Sequence, residues 1–237
     1  MRSRRCSRVV REVSELRGDI RLWNKEKAMK HIHDTGLIPI IRVESAEVAF
    51  KVADAFLAGG VSIIEVTMSV PGAIDVVKQL VQQFGNKVLI GTGTVVNGKM
   101  ATDAIKAGSD FIVSPNYSRE LIDTVLKHSK PIIPGALTPT EIYEAYTMGA
   151  DAVKVFPCGN VGGAEYLKAI RGPLPHIPLV PTGGVDLETA GPMLDAGAFA
   201  LGVGGAITDK KAINEGKYEI ITENVRKFLD IVKAHRK

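Results

Sequence analysis

The chain has 237 residues, 45% hydrophobic and 24% charged, a make-up typical of a globular protein. No apolar run approaches the roughly 18 residues a membrane span needs, and two cysteines, Cys6 and Cys158, cannot build a disulfide framework. The net charge of +4 sits in the head: residues 1–35 hold ten Lys or Arg against five acids, and the remainder holds 20 against 21, which argues against a nucleic-acid or membrane partner.

In chain order, residues 1–20 have a basic start without the apolar centre of a secretory signal, so this head reads as a helical extension or as sequence ahead of an alternative start at Met29. Unpaired cysteines suit a reducing, cytoplasmic setting. The five histidines (31, 33, 128, 176 and 235) are scattered without a completing carboxylate, so they read as solvated, and neither a metal nor an organic cofactor is expected.

Segment 22–34 is expected to form a helix ahead of the first strand, covering the floor of the fold. From residue 36 on, short β-rich runs alternate with stretches of helical period: 37–42, 62–68, 87–93, 110–115, 131–135, 152–157, 178–184 and 199–205. The helical stretches are 45–58, 72–84, 97–107, 118–128, 139–148, 163–170, 187–196 and 217–235. Several end in a glycine stop, as in FLAGG, IKAGS, YTMGA and LDAGA, and Thr138 ahead of Pro139 has the position of a cap. Connections this long call for parallel strands. A doubly wound open sheet qualifies, but eight equal units favour an α/β fold of the (β/α)8 TIM-barrel type, with residues 1–35 as a basic N-terminal extension and helix and 36–237 as the barrel domain.

A barrel concentrates chemistry at the C-terminal ends of its strands. The polar residues there are Arg42, Glu65, Thr67, Thr92, Thr94, Ser114, Lys154 and Thr182. Lys154 is the odd one, a lysine inside the run AVKVFP. Desolvation would disfavour its ammonium and make the neutral amine available to attack a ketone, with Glu65 moving the protons. The residues alone leave a plain buried ion pair equally open. The glycine pairs in PTGGV (181–185) and GVGGA (202–206) end the seventh and eighth strands, where such barrels bind phosphate through backbone N–H groups.

Six motifs, IIEVTM (63–68), IGTGTV (90–95), FIVSPN (111–116), IPGALTPTE (133–141), VKVFP (153–157) and VPTGGV (180–185), resemble in order and spacing the 2-keto-3-deoxy-6-phosphogluconate (KDPG) and 4-hydroxy-2-oxoglutarate (KHG) aldolase family. The resemblance implies a cytoplasmic class I aldolase of carbohydrate metabolism (the Entner-Doudoroff route), usually a homotrimer, that cleaves a small-molecule 2-keto-4-hydroxy acid to pyruvate and an aldehyde. It also implies Lys154 as the imine-forming lysine, Glu65 as general acid and base, and Arg42 as the carboxylate anchor. Other members supply that arginine four residues after the glutamate, where this chain has Ser69. Thr94, Pro115, Phe156 and Thr182 would line the pyruvate pocket, with Gly183, Gly184, Gly204 and Gly205 at the phosphate. Many members carry a serine beside the last phosphate-site glycine, where this chain reads VGGA with Gly205, so a phosphate-free substrate or the galactonate-derived epimer of KDPG stays open. Two other functions also stay open: an isomerase or epimerase using Glu65 as base without an imine, and a non-catalytic barrel.

Overall fold

The computed structural model describes residues 23–236. The expectations for residues 1–22, Cys6 included, lie outside them. The first helix among the described residues, α1 (Lys25–Thr35), starts where Asn24 accepts from Lys27 N and stops at Gly36, whose φ of 69° is left-handed. It leads into β1 (Leu37–Ile41). Alternation then runs α2 (Ala46–Ala58), β2 (Ile63–Thr67), α3 (Ala73–Phe84), β3 (Leu89–Gly93), α4 (Gly98–Lys106), β4 (Phe111–Val113), α5 (Arg119–Lys127), β5 (Ile132–Ile133) and β6 (Gly135–Ala136). It continues with α6 (Pro139–Thr147), β7 (Val153–Val155), α7 (Gly163–Arg171), β8 (Leu179–Pro181), α8 (Ala190–Asp195), β9 (Leu201–Val203), α9 (Lys210–Asn214) and α10 (Tyr218–His235).

Several helices begin where hydroxyl and amide side chains can satisfy the first free N–H groups. Ser45, Asn97 and Ser118 each accept from the backbone three residues on, and Thr138 with Glu141 forms a reciprocal capping box ahead of α6. The strands are buried throughout, as a sheet covered by helices on its outer face requires. All pairings are parallel.

The regular ladders form two sheets, one of six strands in the order β5-β4-β3-β2-β1-β9 and one of three, β6-β7-β8. The break falls in the fifth predicted strand, which Pro134 divides. Proline has no N–H for the ladder, although its carbonyl still accepts from Lys154 N at 2.8 Å. Main-chain bonds leave this run on both sides, from Ser114 N to Ile133 O (3.2 Å) and from Asp151 N to Ile132 O (3.1 Å). At the other seam Phe199 N donates to Leu179 O at 2.7 Å, and Thr182 makes an isolated parallel bridge to Gly202. The eight predicted runs are all strands, but their regular pairing is six plus three. The α9 helix was not expected, because five residues carry too little periodicity to be seen.

Candidate active site

Glu65 sits at the centre of β2, level with Ile40 on β1 and Gly91 on β3. Lys154 sits at the centre of β7, level with Gly135 and Val180. Because alternate residues of a strand point to opposite faces, each is committed to one side by its buried neighbours. Glu65 is 2% exposed and Lys154 4%. Glycine makes the room: a Cβ on Gly93 would lie 1.8 Å from Glu65 Oε1, so only a bare backbone can pass beneath that carboxyl. Glu65 Oε1 is buried with no hydrogen-bond partner among the described residues.

Two ionisable groups in so dry a place resist charging. Burial raises the Glu65 carboxyl above its usual range, against the opposing pull of Lys154 and Arg42. Burial likewise lowers Lys154; Glu65 opposes that shift and Arg42 adds to it. The two groups feel each other electrostatically, yet no carboxylate lies within the 4.0 Å of an ion pair to Lys154 among the described residues. A locked ionic contact is therefore not what holds them. Desolvation pushes the two groups in opposite directions, toward a neutral amine and a protonated carboxyl. That form combines a nucleophile with an acid. The Phe156 ring, its centroid 5.0 Å from Lys154 Nζ, favours any cation that develops there.

Arg42, exposed just past the end of β1, reaches Thr94 Oγ1 at 3.5 Å. Thr94 holds a left-handed φ of 59°, costly for a β-branched residue and more frequent at sites than elsewhere. Arg42, Phe156 and Thr182 border a cavity of about 380 Å³ whose far side is built by Gly183, Gly184, Gly204 and Gly205. Gly184, at φ 73°, is pressed so closely on the loop after β7 that a Cβ there would come within 2.8 Å of Gly159 Cα. Lys154 and Glu65 are not on the cavity wall; they adjoin it through Phe156 and through the charge of Arg42. Thr94 and Pro115 also stand off the wall, and Pro115 packs its backbone against Gly135.

Other strand-end residues serve the fold. Thr67 donates to Ile41 O (3.0 Å), Thr92 to Ser109 Oγ (3.0 Å) and Ser114 to Asn116 Oδ1 (3.1 Å). Cys158 is fully buried and burial pushes its thiol up to about 11, so it is an inert packing residue rather than an exposed loop thiol. The expectation of solvated histidines holds for His33, His128, His176 and His235, all exposed, the last paired with Asp195 at 2.8 Å, and needs correction at His31 alone. His31 is half-buried, bonded to Ser62 Oγ at 2.9 Å and stacked on Trp23. Among the described residues no group of three or more His, Cys, Asp or Glu could hold a metal ion. No described helix is long and apolar enough to cross a membrane.

Sequence reasoning missed two contributors. Gly93 looked like one glycine among 24. Lys210, which lines the same cavity, lies beyond the strand ends, and only a search of the loop after GVGGA would have found it.

Residues 28–224 match the family model described as KDPG and KHG aldolase. The KHG/KDPG aldolase of Escherichia coli (strain K12) is 30% identical over 209 residues, 87% of this chain and 97% of that protein. The 2-dehydro-3-deoxy-phosphogluconate aldolase of Treponema pallidum is 32% identical, covering 83% of this chain and 93% of that protein. Among solved structures, the KDPG aldolase of Legionella pneumophila, with pyruvate captured as a covalent carbinolamine, is 33% identical with a TM-score of 0.78, covering 84% of this chain and 96% of that one.

Proposed function

The chain belongs to the KDPG and KHG aldolase family, and from that premise we propose a residue-level account of its reaction, with Lys154 as the imine-forming nucleophile, Glu65 as the proton shuttle and Arg42 as the carboxylate anchor. The reaction itself is aldol cleavage of a 2-keto-4-hydroxy acid to pyruvate and an aldehyde. The single observation that carries the assignment is a lysine 4% exposed, its ammonium disfavoured by burial, beside a carboxyl whose proton is retained by the same burial.

In this account the neutral Lys154 amine adds to the C2 ketone and gives a carbinolamine. Glu65 donates a proton to the departing hydroxyl, water leaves, and an iminium remains. Phe156 faces that cation. The Glu65 carboxylate then takes the proton of the C4 hydroxyl, directly or through water, as the C3–C4 bond breaks and its electron pair moves into the iminium to give an enamine. The aldehyde departs, C3 of the enamine is protonated, and hydrolysis returns pyruvate and the free amine. Arg42, a fork-shaped donor whose Nη2 lies 3.5 Å from Thr94 Oγ1, suits the C1 carboxylate, and we assign Thr94, Pro115, Phe156 and Thr182 to the pyruvyl unit.

The assembly we propose is a homotrimer, in keeping with the family resemblance, of barrels in which the two sheets close through the bonds at both seams. We assign residues 36–237 to the aldolase domain and 1–35 to an extension and helix; the family match begins inside that helix, at residue 28. A cytoplasmic setting fits the buried free thiol of Cys158. The test is pyruvate release from KDPG and KHG by wild type and Glu65→Gln. The expected result is a fall in turnover of about 10²-fold or more with pyruvate affinity retained; near wild-type turnover would refute the shuttle.

A further inference from the structure

The cavity has a positive wall that the glycine motifs do not account for. Lys210 borders it together with Arg42, and the same two residues also line a second cavity of about 350 Å³ with Glu44 and Asn214. Among the described residues Lys210 has no carboxylate within 4.0 Å, even though Asp186 borders the same cavity. Asp186 is engaged elsewhere: its Oδ1 accepts from Glu188 N (3.0 Å), Thr189 N (2.8 Å) and Thr189 Oγ1 (2.8 Å). The cavity thus has a lysine without a carboxylate partner among the described residues. It is also lined by Gly184, Gly204 and Gly205, whose N–H groups donate to no protein acceptor among the described residues. Of the wall residues that follow the glycine pair, Ala206 has no side-chain donor, and the Thr208 hydroxyl is spent on Gly204 O (3.0 Å).

Donors without acceptors and a cation without a counter-ion, gathered in one cavity, call for a multiply charged oxyanion. We propose that Lys210 is a specificity-determining residue of this aldolase, its ammonium binding the terminal phosphate of a six-carbon 2-keto substrate and compensating for the hydroxyl the glycine loop lacks. This inference rests on the aldolase account above. It divides the substrate's two charges, the carboxylate at Arg42 beside the reacting carbon and the phosphate at Lys210. The Asp186 carboxylate is the opposing charge, which keeps the phosphate on the Lys210 side.

Two measurements test it. The first is binding of glycerol 3-phosphate to wild type, Lys210→Gln and Lys210→Arg, with glycerol as the uncharged control. The expected result is about tenfold weaker binding by Lys210→Gln, the loss of one charge-assisted contact, with binding largely kept by Lys210→Arg. The second is the ratio of kcat/KM for KDPG to that for its phosphate-free counterpart, 2-keto-3-deoxygluconate. It should fall about tenfold in Lys210→Gln, through KM rather than kcat. Equal binding of glycerol 3-phosphate by wild type and Lys210→Gln, no binding by wild type, or an unchanged ratio would each overturn the proposal. The binding assay needs no imine, so failure of the Schiff-base account would appear separately, as absence of pyruvate trapping on Lys154.

Discussion

Substituting Gly93→Ala perturbs the Glu65 carboxyl without replacing any ionisable group. The new Cβ would lie 1.8 Å from Glu65 Oε1, 2.6 Å from its Cδ and 2.9 Å from its Cγ, where ordinary contact begins near 3.4 Å. The β2 backbone cannot give way, because all five of its residues are in register with β3 and two with β1. The side chain must instead swing by about 1.5 Å into surroundings that leave it 2% exposed. Overpacking of this kind costs about 1–3 kcal/mol. A displacement of that size takes a proton donor out of hydrogen-bond reach, so turnover should fall by about 10²-fold or more. The assays are pyruvate release and chemical denaturation, each repeated in a Glu65→Ala background, where the obstructing atoms are gone. There the stability cost of Gly93→Ala should largely vanish. Turnover within about threefold of wild type, or an equal stability cost in both backgrounds, would refute the reasoning.

Two further outcomes come from the same electrostatics and burial. Arg42 lowers both the Glu65 and the Lys154 proton affinities, so Arg42→Met should move both limbs of the pH–rate profile toward higher pH while raising KM for the keto acid about tenfold or more; limbs that stay put or move to acid would contradict the assigned coupling. Cys158, buried with its thiol pushed up to about 11, should resist iodoacetamide at neutral pH until the protein unfolds; prompt alkylation in the folded state, read by peptide mass spectrometry, would show that this packing is wrong.

The alternation of apolar runs and amphipathic stretches was legible because helix and strand periods differ so clearly, and the glycine stops Gly108, Gly149 and Gly197 have positive φ, whereas after 45–58 the left-handed residue is Gly60 and Gly59 stays right-handed. The split of the fifth strand turned on Pro134, whose missing N–H is local, but whose effect on pairing depends on which strands flank it. Lys154 stood out because an ammonium inside a β-branched run is costly, and its partner Glu65 stood out for the same reason on β2. What the sequence could not show is contact between distant residues. His31 finds Ser62 across 31 positions, Glu65 depends on the missing side chain of Gly93, and Lys210, at the start of α9, lines the same cavity as Arg42 from the other end of the chain.

The most direct test of the central claim is borohydride reduction in the presence of pyruvate, followed by peptide mapping. Wild type should gain one reduced pyruvyl group on the peptide containing Lys154, and Lys154→Met should gain none while remaining folded, since an apolar side chain of similar length suits that interior. An unmodified wild-type Lys154, or an adduct that persists in Lys154→Met, would contradict the account.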